Sequence, residues 1–137
     1  MPKGRKGNSP CLDSLPLPSP AELDSGKRTP VFCLHYIHPD FHLDQCGREA
    51  RASFAMALAK RARLTWDELA KSGRHQLGWE YITVEQLRMK LPPKFADNTK
   101  VMVLRYHKLH PMVGVRVGHT FHVLAIEANF GDLYDHG

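Results

Sequence analysis

Three strand-like segments in the C-terminal third of the chain place the strongest limit on its fold. "KVMVLRYH", "PMVGVRV" and "TFHVLAIE" follow one another from residue 100 and are rich in β-branched and aromatic residues, which favour strands. Gly118 and His119 lie between the second and third segments, with glycine first as a type II′ hairpin turn requires. The pattern predicts an antiparallel meander of three strands, and the terminal "LYDHG" could add a fourth.

Upstream of the meander, the sequence predicts one strand and then a helix. "VFCLHYIH" over residues 31–38 is rich in β-branched and aromatic residues and ends at Pro39. The alanine-rich stretch "DQCGREARASFAMALAKRA" contains good helix formers throughout, and Asp44 suits an N-cap.

Two further segments carry the signature of a capping box. In "LTWDEL", Thr65 and Glu68 have the required spacing, which predicts a helix from Trp66 to about Ser72. In "ITVEQL", Thr83 and Gln86 repeat the spacing and predict a third helix that ends before the prolines at 92 and 93. The predicted fold is therefore α+β, with an N-terminal strand, two to three helices and a three- to four-stranded antiparallel meander.

Composition divides the chain into a tail and a single domain. Six of the ten prolines lie in residues 1–30, so we expect a disordered tail there and one α+β domain over 31–137. No apolar run is long enough to span a membrane, and the basic start lacks the apolar segment of a secretory signal. Three cysteines make no disulfide framework. We therefore expect a cytoplasmic protein without a membrane partner.

The segment "CLHYIHPDFHLDQC" concentrates side chains that commonly bind metals. It contains Cys33, His35, His38, His42 and Cys46 but no C-x-x-C pair, whereas structural zinc sites usually show closely paired ligands. We interpret the segment as a strand, a turn and a helix cap, and predict no metal site and no cofactor. A metal-dependent enzyme that uses these histidines and cysteines stays an alternative.

Net charge and the residues of the predicted meander indicate a polyanionic partner. The formal charge is +5 and the pI about 9.3, which favours nucleic acid. Buried charges are costly unless they are paired, so we expect Arg105 and Arg116 to line an open face of the sheet. Arginine can stabilise charge on a phosphate and histidine can move protons near neutral pH. A solvated sheet face would explain the same residues without any function.

The element order and the C-terminal residues resemble the RelE/HigB toxin superfamily. The matching stretches are "MVGVR", which ends at Arg116, "FHVLAIE" and the terminal "LYDHG". The resemblance implies a toxin-like endoribonuclease that cleaves mRNA, often on the ribosome, and is inhibited by a cognate antitoxin protein. It implies metal-independent attack by the RNA 2′-hydroxyl. Arg116 would hold the scissile phosphate, Arg105 would assist, and His122, Tyr134 or His136 would act as acid or base.

Basic residues of the predicted helical region would bind the RNA backbone without regard to its sequence. These residues are Lys60, Arg61, Arg63, Lys71 and Arg74. They would equally suit an ordinary solvated helix surface. A non-catalytic module that binds nucleic acid or another protein, built on the same fold, is the first alternative to the nuclease.

Overall fold

A five-stranded mixed sheet forms the centre of the protein, with the strand order β1-β5-β4-β3-β2. The computed structural model describes residues 24–73 and 76–136. Its strands are β1 (Val31–Cys33), β2 (Trp79–Thr83), β3 (Lys100–His107), β4 (His110–Val117) and β5 (Thr120–Ile126). Its α-helices are α1 (Arg48–Arg61) and α2 (Trp66–Ala70).

The three predicted C-terminal strands are confirmed, and they occupy the middle of the sheet. β3, β4 and β5 pair antiparallel in sequence order. Gly118 has a φ of 62°, the positive value that a type II′ turn needs at its first central position. On its other side β5 pairs parallel with β1, Val31 opposite Thr120. Every residue of β5 is buried, as expected for an apolar strand between two neighbours.

Apolar side chains cover both faces of the sheet. On one face, which we call the helix face, Phe54 of α1 and Trp66 of α2 pack on the sheet. The sheet residues of this cluster include Met102, Leu104, Met112, Phe121 and Val123. The opposite face, which we call the loop face, is covered by irregular segments that contribute Leu87, Met89, Phe95 and Leu133 to Val101, Val103, Val113 and Leu124. The described part of the fold is thus three layers, with both of its α-helices on one side of the sheet.

Both N-terminal elements are shorter than predicted. The strand expected over 31–38 ends at Cys33, since the chain turns after it and the His38 amide then donates to the Leu124 carbonyl. Asp44 is not the N-cap of α1, because residues Leu43–Gln45 form a separate 3₁₀ turn capped by the His42 side chain. Gly47 is the N-cap of α1 instead.

One of the two capping-box predictions is confirmed and the other is wrong. Thr65 and Glu68 cap α2 as expected: the Glu68 amide donates to Thr65 Oγ1 over 3.1 Å, and the Thr65 amide donates to Glu68 Oε1 over 2.8 Å. Thr83 and Gln86 also bond to each other, but only a 3₁₀ turn over Val84–Gln86 follows them.

The segment predicted as the third helix, after Thr83, forms only this 3₁₀ turn and then irregular chain. β2 lies directly before it and pairs antiparallel along β3. The extended conformation of Leu87 ends the short turn, and the Arg88 amide donates to the Leu133 carbonyl over 2.9 Å instead of continuing a helix. The fourth antiparallel strand therefore comes before the three predicted strands, and the C-terminal "LYDHG" forms turns and irregular structure.

Part of the predicted tail packs on the domain. Residues 1–23 lie outside the described residues. Residues Ser25–Lys27 form a 3₁₀ turn, the Trp66 amide donates to the Arg28 carbonyl over 3.0 Å, and Pro30 is buried. Within the described ranges, every helix is too short or too polar to cross a bilayer.

We expect Gly114→Ala to destabilise the fold strongly. A Cβ at Gly114 in β4 would lie 2.2 Å from the His122 carbonyl oxygen in β5 and 2.6 Å from Phe121 Cζ. Neither group can retreat without disturbing the β4–β5 pairing, so we expect a loss of about 3 kcal/mol in the free energy of unfolding. Thermal and denaturant unfolding would measure it.

The matched control for this prediction is Gly73→Ala. Gly73 is exposed and a Cβ there would meet nothing within 4 Å, so the free energy of unfolding should barely change. Equal stability of Gly114→Ala and Gly73→Ala would contradict the described β4–β5 packing.

Candidate functional site

Arg116 lies on the helix face, where its guanidinium is held by three groups. Its Cζ lies 4.3 Å from the centroid of the Trp66 ring, a cation–π geometry. Its Nε donates to the Gly118 carbonyl over 2.8 Å, and an Nη donates to Ser25 Oγ over 3.1 Å. Burial lowers the pKa of Arg116. These contacts make Arg116 a link between the β4–β5 turn, α2 and the segment before β1.

Arg105 lies on the loop face and is almost fully buried. Its guanidinium forms an ion pair with Glu80 of β2 and donates to the Leu109 carbonyl over 2.9 Å. It also approaches the Tyr134 hydroxyl at 3.4 Å. Arg105 therefore connects the β2 edge, the β3–β4 turn and the C-terminal segment.

His122 also lies on the loop face, with 2% of its surface exposed. The rings of Tyr36 and Phe95 lie 5.8 Å and 5.2 Å from its ring. Its Nδ1 is buried and has no hydrogen-bond partner among the described residues. Burial, with a smaller contribution from the nearby Lys94, lowers the pKa of His122 to about 4. The imidazole is therefore neutral at physiological pH and packs as an aromatic core residue.

His136 is the predicted acid–base residue with the most defined surroundings. Its Nε2 lies 2.8 Å from Oε1 of Glu127, a carboxylate with 0% exposure. The second oxygen of Glu127 accepts from the Leu133 amide over 2.9 Å. A buried carboxylate needs such partners. The hydrogen bond to Glu127 fixes the orientation of the His136 ring, as hydrogen bonds from a neighbouring carboxylate do for catalytic histidines.

A row of aromatic and imidazole rings crosses this end of the sheet. We call it the ring row, and its members in order are His107, His110, Phe130, His136 and Tyr134. The first two pairs of ring centroids are each 5.7 Å apart. Phe130 and His136 then stack at 3.9 Å, and His136 and Tyr134 at 4.2 Å. Phe130 is 51% exposed, so the row reaches solvent.

The five predicted catalytic residues do not lie together. Arg105, Tyr134 and His136 are near one another at the ring row. Arg116 lies on the opposite face of the sheet and beside the other end of β4. His122 lies in the apolar cluster of Tyr36 and Phe95, away from the row.

The residues that complete the site were not selected from the sequence. Glu127 directly follows the apolar run of β5, and a charged residue at the end of a buried strand could have indicated a functional site. His107, His110 and Phe130 gave a weaker one, because their proximity depends on how the C-terminal segment folds back.

Arg61 does not belong to a surface that grips RNA. It is 1% exposed, and its guanidinium donates to the carbonyls of Ala57, Gln76, Leu77 and Arg105. Burial lowers the pKa of Arg61 to about 10. Of the other predicted backbone-binding residues, Lys60, Arg63 and Lys71 are exposed, and Arg74 lies outside the described residues.

The cysteine- and histidine-rich segment forms a turn and a 3₁₀ cap. His38 Nδ1 accepts from the Asp40 amide, and His42 Nδ1 accepts from the Leu43 amide. Cys33 is disulfide-bonded, which the sequence analysis did not predict, and Cys46 is a buried free thiol. Among residues 24–73 and 76–136, no group of three or more His, Cys, Asp or Glu side chains is arranged to hold a metal ion.

Comparison with known proteins found no relative of this chain. No protein-family model matches the chain, and neither a curated protein nor a solved structure matches it.

We expect Arg61→Met to destabilise the protein much more than Arg63→Met. The first substitution leaves buried carbonyls of α1, residues 76–77 and β3 without their donor, at a cost of about 3 kcal/mol or more. Arg63 is exposed, so its loss should change the free energy of unfolding by less than about 0.5 kcal/mol. Urea unfolding would measure both, and similar values would contradict the internal role of Arg61.

We expect His122 to make stability fall with acid. Its pKa is about 4 in the fold and about 6.5 in the unfolded chain. The unfolded chain therefore binds more protons between these values. The contribution of His122 is complete above pH 6.5 and falls by about 3 kcal/mol as the pH drops towards 4.

His122→Gln should remove this part of the pH dependence, because glutamine does not titrate. The control His35→Gln replaces an exposed histidine and should keep the wild-type slope. Denaturant unfolding at several pH values would test this, and an unchanged slope in His122→Gln would contradict the burial of a neutral imidazole.

Proposed function

We propose that this chain is an endoribonuclease that cleaves RNA without a metal ion, and that the ring row is its active site. One observation carries the proposal: His136 is fixed by the buried Glu127 and stacks on the half-exposed Phe130. An oriented imidazole beside an exposed aromatic ring offers proton transfer and base stacking at one place.

The reaction begins with attack of an RNA 2′-hydroxyl on the adjacent phosphorus. With its Nε2 proton donated to Glu127, His136 has a lone pair on Nδ1 that accepts the 2′-hydroxyl proton. The new bond joins the 2′-oxygen to phosphorus, and the bond from phosphorus to the 5′-oxygen breaks. The leaving 5′-oxygen takes a proton, so the products are a 2′,3′-cyclic phosphate and a 5′-hydroxyl.

His110 is suited to supply the second proton. Its ring lies 5.7 Å from Phe130, on which His136 also packs. Its Nδ1 is buried and makes no hydrogen bond with any described residue, so the proton would come from Nε2. Two imidazoles that contact one exposed ring can serve as base and acid on either side of a phosphate.

Arg105 and Tyr134 act as positioning residues in this proposal. Burial raises the pKa of Tyr134, so its hydroxyl stays neutral beside the Arg105 guanidinium. Tyr134 in turn stacks on His136 and supports its ring. Arg116 and His122 have structural roles, because their surroundings hold them away from the row.

Exposed cations near the helices would bind the RNA backbone. Lys60 lies at the end of α1, and Arg63 and Lys71 flank α2; all three are exposed. The net charge of +5 adds a general attraction for polyanions. Action on the ribosome and inhibition by a cognate antitoxin in the cytoplasm belong to the same proposal, and only the resemblance to RelE/HigB toxins supports them.

One observation favours a non-catalytic RNA-binding module as the second candidate. The Arg105 guanidinium is already engaged by Glu80, by the Leu109 carbonyl and by Tyr134. It is therefore poorly placed to stabilise the charge that develops on a phosphate during cleavage. Such a module would bind RNA along the ring row and leave the strand uncut.

The test is cleavage of RNA by purified protein in the presence of a metal chelator. We expect wild type to produce fragments with 2′,3′-cyclic phosphate ends, and His136→Gln to cleave at least about 100-fold more slowly, the usual size of an acid–base contribution. Glutamine can still donate to Glu127, so the fold should survive, which circular dichroism would check.

His35→Gln is the matched control, because His35 is exposed and has no contact with the ring row. It should cleave at the wild-type rate. Binding of RNA by wild type without cleavage would support the module instead. Equal cleavage by His136→Gln and wild type would exclude the ring row as the active site.

A further inference from the structure

A cavity of about 400 Å³ lies between α1, the end of β3 and the β3–β4 turn. The lining residues that matter here are Ser53, Met56, Lys60, Arg61, Tyr106 and Lys108. Its volume falls within the range of sites that bind small organic molecules. The use of this cavity is not explained by the chemistry at His136.

The cavity is cationic. Lys60 and Lys108 are exposed at its margin, and the buried Arg61 contributes a third cation to its wall. Arg105 is also part of the lining, where its carbonyl accepts from Arg61, but its guanidinium is paired with Glu80. No described residue of the lining carries a carboxylate. Unbalanced positive charge around a concave surface attracts and concentrates anionic ligands.

The cavity also offers apolar surface beside the charges. Met56 is 56% exposed, and Tyr106, which is largely buried, is a further residue of the lining. Methionine and aromatic side chains provide adaptable surfaces for flat ligands such as nucleobases. Cations and an apolar wall within one cavity match the two halves of a nucleotide.

The cavity adjoins the first member of the ring row. Ser53 lines the cavity, and its Oγ lies 2.8 Å from Nδ1 of His107. The ring of Tyr106 lies 6.3 Å from that of His107 and 6.4 Å from that of His110. A strand held in the cavity would therefore continue onto the ring row.

We propose that this cavity binds one nucleotide of a single-stranded RNA, next to the nucleotides that lie on the ring row. Lys60 and Lys108 contact its phosphate, and its base packs against Met56. The inference rests on the proposed function, since the row supplies the rest of the path. It assigns the recognition of a neighbouring nucleotide to residues that take no part in proton transfer.

The experiment measures binding of a short, fluorescently labelled oligodeoxynucleotide by fluorescence anisotropy at one fixed salt concentration. The strand lacks 2′-hydroxyls and cannot be cleaved by the proposed reaction, so binding is measured independently of catalysis. We expect Lys60→Met/Lys108→Met to bind about tenfold more weakly than wild type, through the loss of two phosphate contacts.

The matched control is Lys27→Met/Lys100→Met, which removes the same net charge from exposed positions outside the cavity. It should weaken binding by less than about twofold, the effect of net charge alone. An equal loss in both double variants would overturn the cavity as the site and leave the proposed function untouched. A selective loss in a protein that cleaves nothing would keep the cavity as a site and reject the nuclease.

Competition separates a nucleotide from a bare phosphate. Adenosine monophosphate should displace the labelled strand from wild type, and inorganic phosphate at the same concentration should not. Equal displacement by both would overturn the assignment of a nucleotide. Circular dichroism of each variant would show that the substitutions of these exposed lysines leave the fold intact.

Discussion

The buried carboxylate of Glu127 is the interaction on which this end of the molecule depends. A charged group without solvent exposure is costly unless it is paired and its atoms are hydrogen-bonded. Its two oxygens lie within hydrogen-bonding distance of His136 Nε2 and the Leu133 amide. Its backbone carbonyl accepts from the Tyr106 hydroxyl over 2.7 Å, and its amide donates to the Pro111 carbonyl. One residue thus joins β3, the start of β4 and the C-terminal segment.

This constraint explains why a segment without helix or strand is held in place. Leu133 and Tyr134 are buried in the loop-face cluster, and His136 is stacked between Phe130 and Tyr134. Apolar packing holds the segment against the sheet, while Glu127 fixes the orientation of its one imidazole. Irregular segments positioned by a rigid sheet are common places for binding and catalytic residues. The proposed acid–base chemistry and the neighbouring nucleotide cavity both depend on this arrangement.

The local signals in the sequence predicted local structure well. Runs rich in β-branched and aromatic residues identified β3, β4 and β5, and the Thr65–Glu68 box identified α2, because both patterns depend on residues close in sequence. The same kind of box at Thr83 and Gln86 started no α-helix, since Leu87 is extended and the Arg88 amide bonds to the Leu133 carbonyl, which is remote in sequence.

The candidate site was harder to predict, because it depends on strand register. Arg105 pairs with Pro111, and paired residues point to the same face. Arg116 comes five positions after Pro111 on β4 and so points to the other face. Arginines that look equivalent in sequence are therefore separated by the sheet. Likewise, the burial of Arg61 could not be anticipated, since its carbonyl partners at Gln76, Leu77 and Arg105 are remote in sequence.

The most direct test of the central claim is to identify the tautomer of the His136 ring by ¹⁵N NMR of its imidazole nitrogens. If Glu127 holds the ring as described, a neutral His136 should show one tautomer, with the proton on Nε2 and the lone pair on Nδ1. Rapid averaging between the two tautomers, as in an unrestrained histidine, would contradict the account.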